Sequence, residues 1–210
     1  MLMHFPTPSN VLDAETAEEL LRFFDKYPVL KIAGFSLWTF DEMTPEAAKV
    51  IARSGMDILF LDSVKVVPPE TLRILCESEV SFLSLGIVRL SPTTARVLSR
   101  FRGACLKLDR LETISAEVAK ILGRFPRLLS LNGVQTLGVD VAKALTLHRG
   151  ELVLDGLVHL SEDVAQALSR HRCKCLGLEV LRFLSRRASN ALAKYRGTLE
   201  LPQLEVSSEE

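Results

Sequence analysis

Apolar and polar positions follow one phrase that returns about every 23 residues along this chain. It opens with Leu-x-Leu, continues through a short turn to another apolar residue, and then runs into a helix-patterned stretch. The leucine pairs begin at Leu30, Leu59, Leu83, Leu106, Leu129, Leu152, Leu176 and Leu199. After the first, their separations are 24, 23, 23, 23, 24 and 23 residues. Side chains alternate sides along a strand, so Leu-x-Leu puts both leucines on one face. Each pair is followed by a further inward candidate: Phe35, Val64, Ile87, Leu111, Val134, Leu157, Leu181 or Leu204.

The second half of the phrase predicts a helix. Thr44, Ser91, Ser115, Ser161 and Ser185 stand where an N-cap belongs, with Pro68 and Gly138 at the equivalent places. Their hydroxyls suit that position because it accepts from the orphan N–H groups of the first turn. Acids such as Glu46, Glu117 and Asp140 follow, at the positive end of the helix. An alanine comes four residues past the cap (Ala48, Ala95, Ala119, Ala142, Ala165), and Ile51, Leu98, Leu122, Leu145 or Leu168 three further on. Those spacings make one apolar stripe, with its smallest member where helix and sheet approach. A ring stands ten past the cap at Phe101, Phe125, His148, His171 and Tyr195. Gly103, Gly150 and Gly197 come next and are expected to close the helix.

A strand and a short helix cannot bury their apolar faces alone and must stack on neighbours. One strand per unit with a helical crossover requires parallel pairing, and such crossovers are right-handed. The expected fold is therefore an α/β right-handed repeat solenoid with one parallel β-sheet wall and one helical wall. Residues 1–29 read as an N-terminal extension and capping helix, with Asp13 to Tyr27 as the helix. Residues 30–204 read as about seven strand-helix repeats plus a final strand, and 205–210 as an acidic tail.

Composition narrows the function classes. The 26 basic and 26 acidic residues cancel, so no overall field draws the chain to nucleic acid or anionic lipid. No run approaches the roughly 18 apolar residues of a membrane span, and the first residues lack a secretory signal pattern. Cys76, Cys105, Cys173 and Cys175 form no disulfide framework, which favours reduced thiols and a cytoplasmic setting.

Over Leu30 to Leu204 the chain resembles a leucine-rich repeat protein, through its Leu-x-Leu strands and the length of its strand-helix unit. The family's Asn or Cys after the leucine pair is replaced by residues such as Val134, Leu157 and Leu181, so no asparagine ladder is expected. The resemblance implies a non-enzymatic scaffold that binds a protein or peptide over the outward face of its sheet.

Candidate binding residues come from the strand positions facing away from the leucines. One column contains Phe60, Lys107 and Val153; the next contains Asp62, Asp109, Asn132, Asp155 and Glu179. The acids read as a stripe for a basic peptide or a cation, or as turn chemistry, since Asn132-Gly133 and Asp155-Gly156 are turn dipeptides. About five extra residues between Phe35 and Met43 read as an inserted loop, carrying Trp38 beside Phe40 as an interface anchor or a cap.

On the helix side, Arg53, Arg100, Arg124, Arg170 and Lys194 share one register, and Arg102, Arg149, Arg172 and Arg196 another. Cations at helix C-termini complement the dipole, and an anion or nucleic-acid backbone is the alternative partner for such a ladder. A structural module of a larger assembly is a third reading, from the bare last strand. His171, Cys173 and Cys175 lack zinc-ligand spacing and a fourth ligand, so no metal or cofactor is assigned. No phosphate loop, nucleophile elbow or carboxylate pair is present, which argues against an enzyme.

Overall fold

Why the phrase becomes a solenoid is visible in the computed structural model, which describes residues 10–27, 35, 36 and 40–202. The described chain begins with β1 (Val11–Leu12), α1 (Ala14–Lys26), β2 (Phe35–Ser36), β3 (Glu42–Met43) and α2 (Pro45–Arg53). It continues as β4 (Ile58–Leu61), α3 (Pro69–Glu77), β5 (Phe82–Leu85), α4 (Pro92–Leu98), β6 (Cys105–Lys107) and α5 (Ala116–Leu122). The last units are β7 (Leu128–Ser130), α6 (Val139–Leu145), β8 (Glu151–Val153), α7 (Glu162–Ser169), β9 (Cys175–Gly177), α8 (Arg186–Leu192) and β10 (Thr198–Glu200).

Eight strands form one sheet in the order β10-β9-β8-β7-β6-β5-β4-β2, and every described pairing in it is parallel. The order simply follows the chain, as stacked units require, and the sheet does not close into a barrel. Register places leucine beside leucine: Leu59 pairs with Leu83, Leu83 with Leu106, Leu106 with Leu129 and Leu129 with Leu152. Both leucines of each pair from β4 to β9 are at most 1 % exposed. They meet the helix stripe, where Ala48, Ala95, Ala119, Ala142 and Ala165 are 0 % exposed. Helices of seven to nine residues do not persist alone in water, so this burial holds them.

The capping hydroxyls act as expected. Thr44, Ser91, Ser115, Ser161 and Ser185 each accept from the backbone N–H three residues on. Asp13 does the same for α1 through Thr16, and α1 packs beside α2 to cover the first coil. A short parallel pair, β1 with β3, fixes where that covering helix begins.

Two expectations are corrected. The strand beside β4 is Phe35–Ser36, with Phe35 partnering Leu59 and Ser36 partnering Phe60, so Phe35 holds the register position assigned to Leu30. The interval from Phe35 to Leu59 is then 24 residues, within the 23 to 24 of the later units. No inserted loop is then needed before Met43. Phe40 takes the place that Val64 holds one coil later, and it is a core residue, 2 % exposed, rather than a surface anchor. Trp38 lies outside the described residues, as does the Leu30 phrase.

The glycines after the rings do not close helices. Helices α4, α6 and α8 end at Leu98, Leu145 and Leu192, several residues earlier. Gly103 is there because a Cβ would lie 2.2 Å from the Phe101 ring and 2.5 Å from the Val80 carbonyl oxygen. Close packing, not a left-handed backbone, excludes a side chain.

Candidate binding surface on the sheet

The leucines point into the core, so the residues on either side of the first leucine of each strand must both point outward. That gives two outward positions in the strand itself, then a third at the strand end. The first is the column Ile58, Phe82, Cys105, Leu128, Glu151, Cys175 and Thr198, joined laterally by the sheet register. Ile58, Phe82, Cys105 and Leu128 are half-buried, while Glu151 and Thr198 are exposed. Sequence reasoning took its outward candidates from the two later columns and passed over this one. The signal was present: inward leucines force their immediate neighbours onto the other face.

Phe60 and Phe82, from neighbouring strands, place their ring centroids 5.1 Å apart, tilted by 56°. With Ile58, Cys105 and Leu128 they make an apolar patch on the outer face of β4 to β7, interrupted by Lys107 on β6. A shallow depression of about 380 Å³ opens at the strand starts, with Cys105, Pro126, Leu128 and Glu151 in its wall. Val153 continues the face, half-buried, on β8.

Polar members of the outward columns turn out to be tied to one another. Ser84 and Ser130 are 0 % and 4 % exposed, because their hydroxyls donate to Asp62 and Asp109 of the preceding coil. Asp109 Oδ1 also accepts from the Asn132 N–H at 3.1 Å. Asn132 Oδ1 accepts from the Asp155 N–H at 3.0 Å, and Asp155 Oδ1 from the Glu179 N–H at 2.9 Å. A mixed Asp/Asn ladder thus runs along the axis, two positions before the core residues Leu111, Val134, Leu157 and Leu181. Backbones close up behind it. A Cβ at Gly156 would lie 1.9 Å from the Asn132 carbonyl oxygen.

These bonds change what the acids can do. Asp109 is half-buried and serves Ser130, Asn132 and Lys107, whose Nζ lies 3.1 Å from Oδ2. Asp62, Asp109, Asn132 and Asp155 are half-buried and each commits an oxygen to a bond inside the molecule, so they are not a free acidic stripe; of the five only Glu179 is exposed. Among the described residues no group of three metal-ligating side chains converges.

At the opposite corner of each coil the rings form their own column. Phe125 and His148 are 0 % exposed, and the Phe101 and Phe125 centroids lie 6.1 Å apart. His148 Nε2 bonds the Glu151 carbonyl oxygen at 3.1 Å, but its Nδ1 and both nitrogens of His171 have no hydrogen-bond partner among the described residues. Burial pushes His171 down to about 4, with His148 and Arg149 lowering it further, so it is neutral at physiological pH. Tyr195 donates to the Cys173 carbonyl oxygen at 2.8 Å. Burial raises the Cys76 thiol to about 12 and the Cys105 and Cys175 thiols to about 11, so none is an activated nucleophile.

The helix-side cations are all exposed at Arg53, Arg100, Arg102, Arg124, Arg149, Arg170, Arg172, Lys194 and Arg196. No helix among the described residues is long and apolar enough to cross a membrane. No family model matches the chain, and no curated protein matches it either.

Proposed function

We propose that the protein is a non-enzymatic scaffold that binds a protein or peptide across the outward face of its sheet. The supporting observation is the apolar patch on the outer surface of β4 to β7, where Phe60 and Phe82 lie side by side next to Ile58, Cys105 and Leu128. Paired aromatics on an open face are suited to anchoring a partner, since they bring large area at little entropic cost. Lys107 lies within this patch on β6, and Val153 borders it on β8. The Leu-x-Leu strands and strand-helix units agree with a divergent leucine-rich repeat protein, and four free thiols agree with a reducing, cytoplasmic setting.

Exchange of Phe60→Ser and Leu128→Ser together tests the reading. Proteins co-purifying from native extract with the parent chain are expected to be lost from the double variant, while its thermal midpoint stays within a few degrees. A partner set retained by the double variant would overturn the assignment of this face.

A further inference from the structure

A second surface lies on the helical wall at the C-terminal end of the array. Between α7, α8 and the corners leading into β9 and β10 runs a groove of about 970 Å³. Six cations line it: Arg170, Arg172, Lys174, Arg187, Lys194 and Arg196. Its lining holds one carboxylate, Glu162, which lies 3.7 Å from Arg187. The other five cations have no ion-pair partner among the described residues. The wall between Arg170 and Arg172 is His171, 3 % exposed, with neither ring nitrogen bonded among the described residues.

So many unpaired like charges in one concavity repel one another, and a ligand carrying several negative charges relieves that repulsion. Six cations spread over α8 and two consecutive corners carry more charge than a single small anion neutralises. Helix-dipole complementarity explains a cation in each last turn, but not three in the Arg170–Lys174 corner with two more in the next.

We propose that this groove takes an extended acidic segment of a partner polypeptide, its carboxylates laid against Arg170, Arg172, Arg187 and Arg196. Four guanidinium forks match carboxylates two bonds at a time. A nucleic-acid strand fits less well on two counts. The one ring in the groove lining, His171, is 3 % exposed and offers no face on which a base could stack. The cations also thin out along the axis, since the next corner back carries Arg149 alone and those of the first coils carry Asp57, Glu77 and Glu79, so a backbone following the axis would leave the dense charge and end on carboxylates. This surface is separate from the sheet face and stands or falls independently of it.

Fluorescence anisotropy on the full chain provides the test, using a short labelled Glu-rich peptide, a Ser/Gly peptide of the same length and an oligothymidylate. The Glu-rich peptide is expected to bind at low salt and to weaken about tenfold or more at physiological salt and above, as exposed charge pairs are screened. Arg172→Glu with Arg196→Glu is expected to weaken it at least about tenfold, the effect of setting like charges against each other. Arg89→Glu with Arg110→Glu, the same change in net charge away from the groove, is expected to leave affinity within about threefold. Should the groove variant melt early, Arg172→Ala with Arg196→Ala is expected to weaken binding about fivefold with the fold intact. No binding of the Glu-rich peptide, equal losses from the two reversals, or tighter binding of the oligothymidylate would each overturn the proposal.

Discussion

Each coil has two corners, and the two are held in different ways. Where strand turns toward helix, Asp109, Asn132 and Asp155 reach along the axis and accept hydrogen bonds from the next coil. Where helix turns toward strand, Phe101, Phe125, His148, His171 and Tyr195 share one register along the same axis, with Phe101 and Phe125 stacked. The polar corner is demanding, because each acceptor meets a particular N–H and its loss strands a donor. The ring corner is permissive: Phe, His and Tyr share one register, with two histidines tolerated although buried nitrogens go unpaired. A repeat can therefore drift in sequence at one corner while the other keeps its coils in step.

Between the corners lies the leucine core, which sets the scale for any comparison. Leu131 is 0 % exposed in the middle of the array. Leu131→Ala is expected to cost roughly 2–5 kcal/mol in chemical unfolding, from lost burial and the cavity left behind. A cost under about 1 kcal/mol would mean that the coils collapse to fill the space, and that the corners rather than the core carry stability.

The polar corner comes next in size. Asp109→Ala strands the Asn132 N–H and the Ser130 hydroxyl, and an expected loss of about 1–3 kcal/mol follows. Lys107→Ala removes only the 3.1 Å ion pair to the same carboxylate, at a side chain 38 % exposed, and is expected to change stability by about 0.5 kcal/mol or less. Equal effects from the two substitutions would show that the ladder does not bind coil to coil.

Much of this was legible from the period alone. Leucine pairs, capping hydroxyls, the alanine stripe and the ring register all recur at fixed spacing, and repetition converts weak local signals into a strong one. The register of the strand beside β4 was set too early because Phe35-Ser36-Leu37 does not spell the Leu-x-Leu that marks the other units. Phe40 was misread along with it, since a shifted strand creates an apparent insertion. The ladder was not legible for a different reason. A strand-end aspartate points outward by alternation, but whether it reaches solvent or bends onto the neighbouring coil depends on the separation of coils, which spacing does not encode. The groove at the C-terminal end needs two consecutive corners in three dimensions, and the arginine registers supplied only its members.

The ring corner gives the smallest expected effect and the one most dependent on pH. His171 sits at about 4 when folded, against an ordinary value near 6.5, because burial disfavours its charged form. As pH falls, the unfolded chain takes up the proton first. Stability contributed by the neutral ring is therefore complete above about pH 6.5, declines between about pH 6.5 and 4, and is flat below. His171→Met keeps an apolar side chain that adapts to an irregular gap and removes the titration. At pH 8 the variant is expected to match the parent or exceed it slightly, since two unpaired nitrogens are gone. At pH 5 the variant is expected to gain on the parent by about 1–2 kcal/mol more, a difference readable from urea midpoints at the two pH values. His148 is lowered in the same direction, so some slope is expected to remain in the variant. A gap between variant and parent that does not change with pH would mean that His171 is reached by water or by a partner, and that the ring corner is less dry than its packing indicates.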